Sequence, residues 1–175
     1  LPPGQSEGVA LEAYPGEIVG LAGLQGHGQA ATLNALFLAA GRRTGSTTVG
    51  GTVAMVAGDR QNEGILPLWS IARNITIGSL GRLVSGFLID KRAEEEMAAA
   101  WRDRIRIRTP SVDESILSLS GGNQQKALFA RALAAEADVV LMDDPMRGVD
   151  IGTKQEVYKM IRDEAARGRT FVWYT

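Results

Sequence analysis

A mostly parallel β-sheet with helices packed on it, interrupted by an inserted helical segment, is the fold class that this sequence predicts. Three observations carry it. Short apolar runs alternate with helix-forming stretches, and glycines mark the joints between them. From about Leu68 to Ser118 the texture changes to a charged, helical one.

The elements follow in order. GVALEA, Gly8 to Ala13, followed by Pro15-Gly16, reads as a short strand and turn. EIVGLAG, Glu17 to Gly23, is a buried strand running into a glycine-rich loop. QAATLNALFLAAG, Gln29 to Gly41, is a helix with Leu33, Leu36, Phe37 and Ala40 at helical spacing and a glycine stop. TVAMV, Thr52 to Val56, is a second buried strand. In the inserted segment a charged helix runs from about Lys91 to Ile107. Its Met97, Trp101 and Ile105 recur every four residues and form an apolar stripe for core packing. The alternating arginines Arg102 to Arg108 read as a solvated face. A helix begins after Ser120, and then come strand Asp138 to Met142, helix Ile151 to Arg167 and strand Thr170 to Tyr174.

Composition sets bounds. The 175 residues suit about one domain. Nineteen basic residues against twenty acidic ones leave a formal charge of −1, so no global field draws the chain to nucleic acid. No cysteine is present, which excludes disulfides and thiolate metal sites. The apolar runs are far shorter than a membrane span, and no signal-peptide pattern opens the chain. Beginning at Leu1 and stopping just after the apolar run TFVWY, it is expected to be a piece of a longer polypeptide.

Two glycine-rich stretches point to phosphate chemistry. GLQGHGQA, Gly23 to Ala30, lies between a strand and a helix, and Gly23, Gly26 and Gly28 let backbone N–H groups wrap phosphate oxygens. LSGGNQQK, Leu119 to Lys126, reads as a helix start, with Ser120 expected to cap the first turn and Gly121 and Gly122 baring its amides. A helix N-terminus of that kind is an anion site. Farther on, VVLMDDPMRGVD, Val139 to Asp150, is an apolar run ending in paired acids and a Gly-Val-Asp turn.

The order and spacing of LSGGNQQK and DDPMRGVD resemble the signature motif, Walker B strand and D-loop of ATP-binding-cassette (ABC) ATPases. The GNQQK ending, and WRDRIRIRTPSVDESILSLSGGNQQK as a whole, look like the sugar-importer branch (ribose, galactose, xylose type). GEIVGLAGL, the AGDR loop and RGVDIGTK look like the second of the two ATPase halves that such importers carry in one polypeptide. The resemblance implies a P-loop NTPase (RecA-like) core, residues 1–67 and 119–175, with an antiparallel β segment at its N-terminus and an α-helical subdomain over 68–118. It also implies ATP and Mg²⁺ as ligands.

The implied sites are specific. Gly23, Gly26, His27, Gly28, Gln29 and Ala30 form the P-loop, with His27 at a variable, exposed position. Gln29-Ala30 replace the family's Lys followed by Ser or Thr, so the charge for the β- and γ-phosphates and the Mg²⁺ ligand are both missing. Asp143 stands where the family holds Mg²⁺ through water. Asp144 stands where it has a glutamate that polarises the attacking water, and is one methylene shorter. The Q-loop region is Gly58, Asp59 and Gln61, with Gly58 at the position of the sensing side chain and Gln61 as a stand-in. Asp150 belongs to the D-loop. Ser120, Gly121, Gly122, Asn123 and Gln124 would face the ATP of a partner half. The switch histidine would follow the last strand, beyond Thr175. No adenine-stacking aromatic is assigned, Tyr14 being close to a turn.

The implied partners are a second ATPase half, transmembrane permease subunits and, indirectly, a periplasmic sugar-binding protein. The implied location is peripheral, at the cytoplasmic face of the bacterial inner membrane. Two rivals share the motifs. One is a non-transport ABC ATPase, disfavoured by the neutral charge and the GNQQK ending. The other is an inactive nucleotide-dependent scaffold, favoured by the departures at Gln29-Ala30, Gly58 and Asp144.

Overall fold

The computed structural model describes residues 11–24, 26–40 and 47–175. Among these, the elements in chain order are β1 (Ile18–Leu21), α1 (Gln29–Leu38), β2 (Val53–Val56), a π-helical turn (Arg60–Gly64), α2 (Ile71–Thr76), α3 (Leu80–Leu83), β3 (Val84–Ser85), β4 (Leu88–Ile89), α4 (Lys91–Arg104), α5 (Gly121–Ala134), β5 (Val139–Asp143), α6 (Ile151–Ala165) and β6 (Thr170–Tyr174). The contacts divide the chain into two compact units.

The first unit holds residues up to Gly58, Ala137–Pro145 and Ile161–Thr175. Its sheet runs β1-β6-β5-β2, and every neighbouring pair is parallel. Parallel strands are normally covered on their faces, and β5 and β6 are largely buried; β1, expected to be buried, alternates exposed and half-buried residues, and β2 is mostly half-buried. Helix α1 packs on β5, and Leu33, Leu141 and Val172 form a buried cluster joined by Leu21, Leu36, Val53 and Met55. Phe37 and Leu38, on the same helix, are exposed. Asp138 ties the beginnings of β2 and β5, accepting from the Thr52 N–H at 2.7 Å and its hydroxyl at 3.0 Å.

Because the four strands are parallel, their carboxyl ends share one rim, the usual place for ligands in such sheets. β1 leads into the Gly23–Ala30 loop, β2 into Gly58, and β5 into Asp143-Asp144. Only β6 separates β1 from β5, roughly 10 Å at ordinary strand spacing.

The second unit holds Asp59–Glu136 and Met146–Met160. Here α2 packs on both α4 and α5, with Ala72, Ala98 and Val112 at a small buried centre. Trp101 and Met97 are half-buried and Ile105 is buried, as an apolar stripe requires. Asp90 caps α4, accepting from the N–H groups of Arg92 and Ala93.

Three features depart from the sequence reading. Residues 119–175, expected with the sheet, are divided between the units, and α5 packs in the unit of the insertion. Of the N-terminal strand, Gly8–Ala10 lie outside the described residues and Leu11–Tyr14 form no strand; among the described residues antiparallel pairing occurs in the β3–β4 hairpin and at the isolated Ser70–Ser115 bridge. Gly41, expected to stop α1, also lies outside the described residues, and α1 ends at Leu38 with Ala39 as its cap.

Candidate nucleotide and signature sites

The glycine-rich loop joins β1 to α1 through left-handed glycines. Gly26 (φ 89°) and Gly28 (φ 98°) adopt a backbone that L side chains rarely take, and Gly28 immediately precedes the helix. Among the described residues of this loop, Gln29 is the buried polar side chain. It folds back over Gly23 and donates to the Leu24 carbonyl at 3.2 Å, so its amide closes the loop on itself. Ala30 and His27 are exposed. The next hydroxyl along, Thr32, donates to the Gly28 carbonyl at 2.9 Å.

Asp143 and Asp144 leave β5 half-buried. Asp144 has φ 35°, an uncommon backbone for a non-glycine residue that aspartate tolerates better than most. Its N–H donates to the Tyr174 carbonyl at 2.9 Å, which fixes the turn against the end of β6. Gly58 lies beside them. A Cβ placed on it would come 2.6 Å from the Asp143 carbonyl oxygen, so no side chain fits there unless that carbonyl moves.

The signature turn is organised differently from the expected capped helix. Ser120 occupies the cap position, but its side chain makes no capping bond; its hydroxyl accepts from the Asn123 side-chain amide at 3.0 Å. The exposed Ser120 hydroxyl thus keeps its proton available, and the first-turn amides are not closed off by a serine cap. Asn123 is held in turn by the Arg108 N–H at 3.0 Å. Gln124 points the other way. It is 5% exposed, accepts from Arg60 at 3.2 Å and Gln61 at 3.1 Å, and donates to the Ile116 carbonyl at 3.3 Å. Gln124, assigned by resemblance to the signature motif, ties the AGDR loop to α5.

The remaining acids have structural duties. Asp59 caps the π-helical turn through the Asn62 side chain at 2.7 Å and the N–H groups of Asn62 and Gln61, which hold its carboxyl below the usual range. Asp150 caps α6 by accepting from the Thr153 N–H and hydroxyl, which lower its pKa in the same way. Gly122 fits between them: a Cβ there would lie 2.8 Å from Thr153 Oγ1 and 3.1 Å from Asp150 Oδ2.

Comparison with known proteins decides the family. Residues 6–147 match the family described as ABC transporter. The chain belongs to that family. Among curated ABC relatives, an arabinose import ATP-binding protein of Burkholderia ambifaria is 37% identical over 97% of this chain and 36% of its own length. A xylose import ATP-binding protein of Ralstonia nicotianae is 39% identical over 91% of this chain and 34% of its own. The chain therefore spans about a third of the length of the curated relatives it matches. Among solved structures, a metal-chelate type ABC transporter in an inward-facing conformation matches with TM-score 0.76 at 24% identity, covering 92% of this chain and 63% of that one. A dimeric post-hydrolysis ATP-binding cassette bound to ADP and Pi matches with TM-score 0.75 at 21% identity, over 94% and 77%. Both support the ABC ATPase fold.

ABC ATPases bind ATP, normally with Mg²⁺. At this P-loop the family's cation and hydroxyl positions hold neutral Gln29 and oxygen-free Ala30, and Thr32 is engaged with Gly28. With no side-chain oxygen at Ala30 and the Thr32 hydroxyl engaged, the residues of this loop do not fit a complete magnesium site. The π-helical turn is one feature that the sequence reading does not contain; its trace in the sequence is Asp59, two and three residues before the amides that it caps.

Proposed function

We propose that this chain is part of the ATP-binding subunit of an ABC importer for a simple sugar. It acts mainly by presenting its signature turn to an ATP held by a second ATPase half. The import names of the arabinose and xylose relatives favour that substrate class. Permease subunits, and through them a periplasmic binding protein, complete the assembly at the cytoplasmic face of the inner membrane. Among the described residues no helix is long and apolar enough to cross a membrane, so the spanning part would belong to another subunit or segment.

One contrast carries the reading. The Ser120–Gly122 turn is open, with a free hydroxyl proton and a helix N-terminus behind it, whereas Gln29 is folded into its own P-loop. The helix end presents roughly half a positive charge to a phosphate, and the Ser120 hydroxyl donates to a phosphate oxygen. Together they orient the terminal phosphate without doing covalent chemistry. In the chain's own site Gln29 supplies hydrogen bonds without charge, and Asp144 reaches less far than glutamate toward an attacking water. That site binds nucleotide weakly or hydrolyses it slowly.

Steady-state ATPase of the assembled importer tests this. Gly122 is a poor probe, because any side chain there strikes Thr153 and Asp150. Ser120 is exposed, so Ser120→Ala spares the fold; it is expected to lower kcat about tenfold or more, the scale of one lost donor at a charged oxygen. Gln29→Lys is expected to change it far less. Unchanged activity in Ser120→Ala contradicts the proposal, and an assembly with no turnover in any form favours the scaffold reading.

A further inference from the structure

We infer that Arg60 supplies the positive charge of the signature site, standing against Gly121 to contact the phosphate presented to that turn. This deepens the reading above and rests on it. Arg60 opens the π-helical turn that follows Gly58, sixty residues before the signature in sequence, and the fold brings it to the start of α5. A Cβ on Gly121 would lie 3.0 Å from Arg60 Nη2 and 3.5 Å from its Cζ, so the guanidinium packs directly on that glycine.

Its placement is fixed from several directions. The Nε donates to Gln124, whose oxygen also takes Gln61 and whose amide is anchored on Ile116. The turn itself is closed by Asp59 at its start. At its other end Gly64 lies so close to α5 that a Cβ would come 2.6 Å from Leu128 Cδ1, and its carbonyl accepts from Arg131 at 2.7 Å. Single π-helical turns of this sort recur at functional sites. Only the Nε of Arg60 is engaged; among the described residues no carboxylate pairs with it, leaving the N–H groups on both terminal nitrogens to donate.

Electrostatics supplies the reason for a cation here. Asp150 lies against Gly122, and its hydrogen bonds with Thr153 hold its carboxyl below the usual range. A fixed negative charge beside an anion site weakens it, and a guanidinium against the neighbouring Gly121 offsets that field. Arginine is suited to the task because its planar fork stays charged while one edge is anchored and the other donates to phosphate. The P-loop has lost its lysine, and the signature turn of the same chain holds an arginine.

The test is the ATPase of the assembled importer carrying Arg60→Gln, Arg60→Lys or Ser120→Ala, with the melting temperature of each. For Arg60→Gln the expected result is a fall in kcat/KM for ATP of about tenfold, the scale of one charge-assisted bond, at an unchanged melting temperature. Arg60→Lys, which keeps the charge without the anchored fork, should recover part of it. If Arg60→Gln matches the parent while Ser120→Ala loses activity, Arg60 is not part of the site although the signature reading stands. If both match the parent, the signature reading itself is wrong. Loss in Arg60→Gln with a lowered melting temperature and no recovery in Arg60→Lys would mean that the arginine only braces the turn, and overturns the inference.

Discussion

Gly58 shows how a single residue is decided by its neighbour's backbone. A methyl group there would need the Asp143 carbonyl, 2.6 Å away, to move. Gly58→Ala is therefore expected to destabilise the fold by about 1–3 kcal/mol, the usual cost of overpacking a fitted site, measured by urea unfolding. A sensing side chain cannot be restored at 58 without displacing Asp143. At this scale the sequence was only partly legible. It located Ser120, Gln124 and Gln61 in motifs but not their directions, because a serine or glutamine has the same code facing solvent or core. Gln124 turned inward because Arg60 and Gln61, more than sixty residues earlier, converge on its oxygen. Ser120 did not cap its helix because Asn123 took its hydroxyl first.

Helix α5 is anchored within the second unit by a half-buried arginine. Arg131 donates to the Asn74 carbonyl at 2.6 Å, to its side-chain oxygen at 2.9 Å and to Gly64 at 2.7 Å, and burial lowers its pKa. Asn74 in turn closes the Leu66–Ser70 loop. Arg131→Met strips three acceptors at once, and a loss of about 2–3 kcal/mol is expected by denaturant titration. Acid acts on other joints. Asp138, Asp59 and Asp150 all have folded pKa values below their ordinary ones, from hydrogen bonds with Thr52, Asn62 and Thr153 respectively. Their stabilisation is complete above the unfolded value near about 3.9 and is lost as pH falls through the lower folded values. Melting temperature should therefore fall steeply below about pH 4, and Asp138→Asn should flatten that fall while leaving the neutral-pH slope alone. Most elements were legible from period and glycine punctuation. The β3–β4 hairpin was overlooked although Gly86-Phe87, with Gly86 at φ 65°, is a usual two-residue hairpin turn. The two strands have only two residues each, too short to register as a run.

For the whole molecule, the parallel sheet was readable because its strands are written as continuous apolar runs, although only β5 and β6 are largely buried. The grouping of α5 with the insertion was not, since it depends on tertiary contacts such as Arg131–Asn74 that no local pattern encodes. The functional picture we propose is one of asymmetry: a P-loop closed by its own neutral Gln29 and a signature turn that is open and flanked by Arg60. Equilibrium titration of this chain with ATP, with and without Mg²⁺, tests that asymmetry most directly. Weak binding that magnesium barely changes is expected; tight, saturable, magnesium-dependent binding would contradict it.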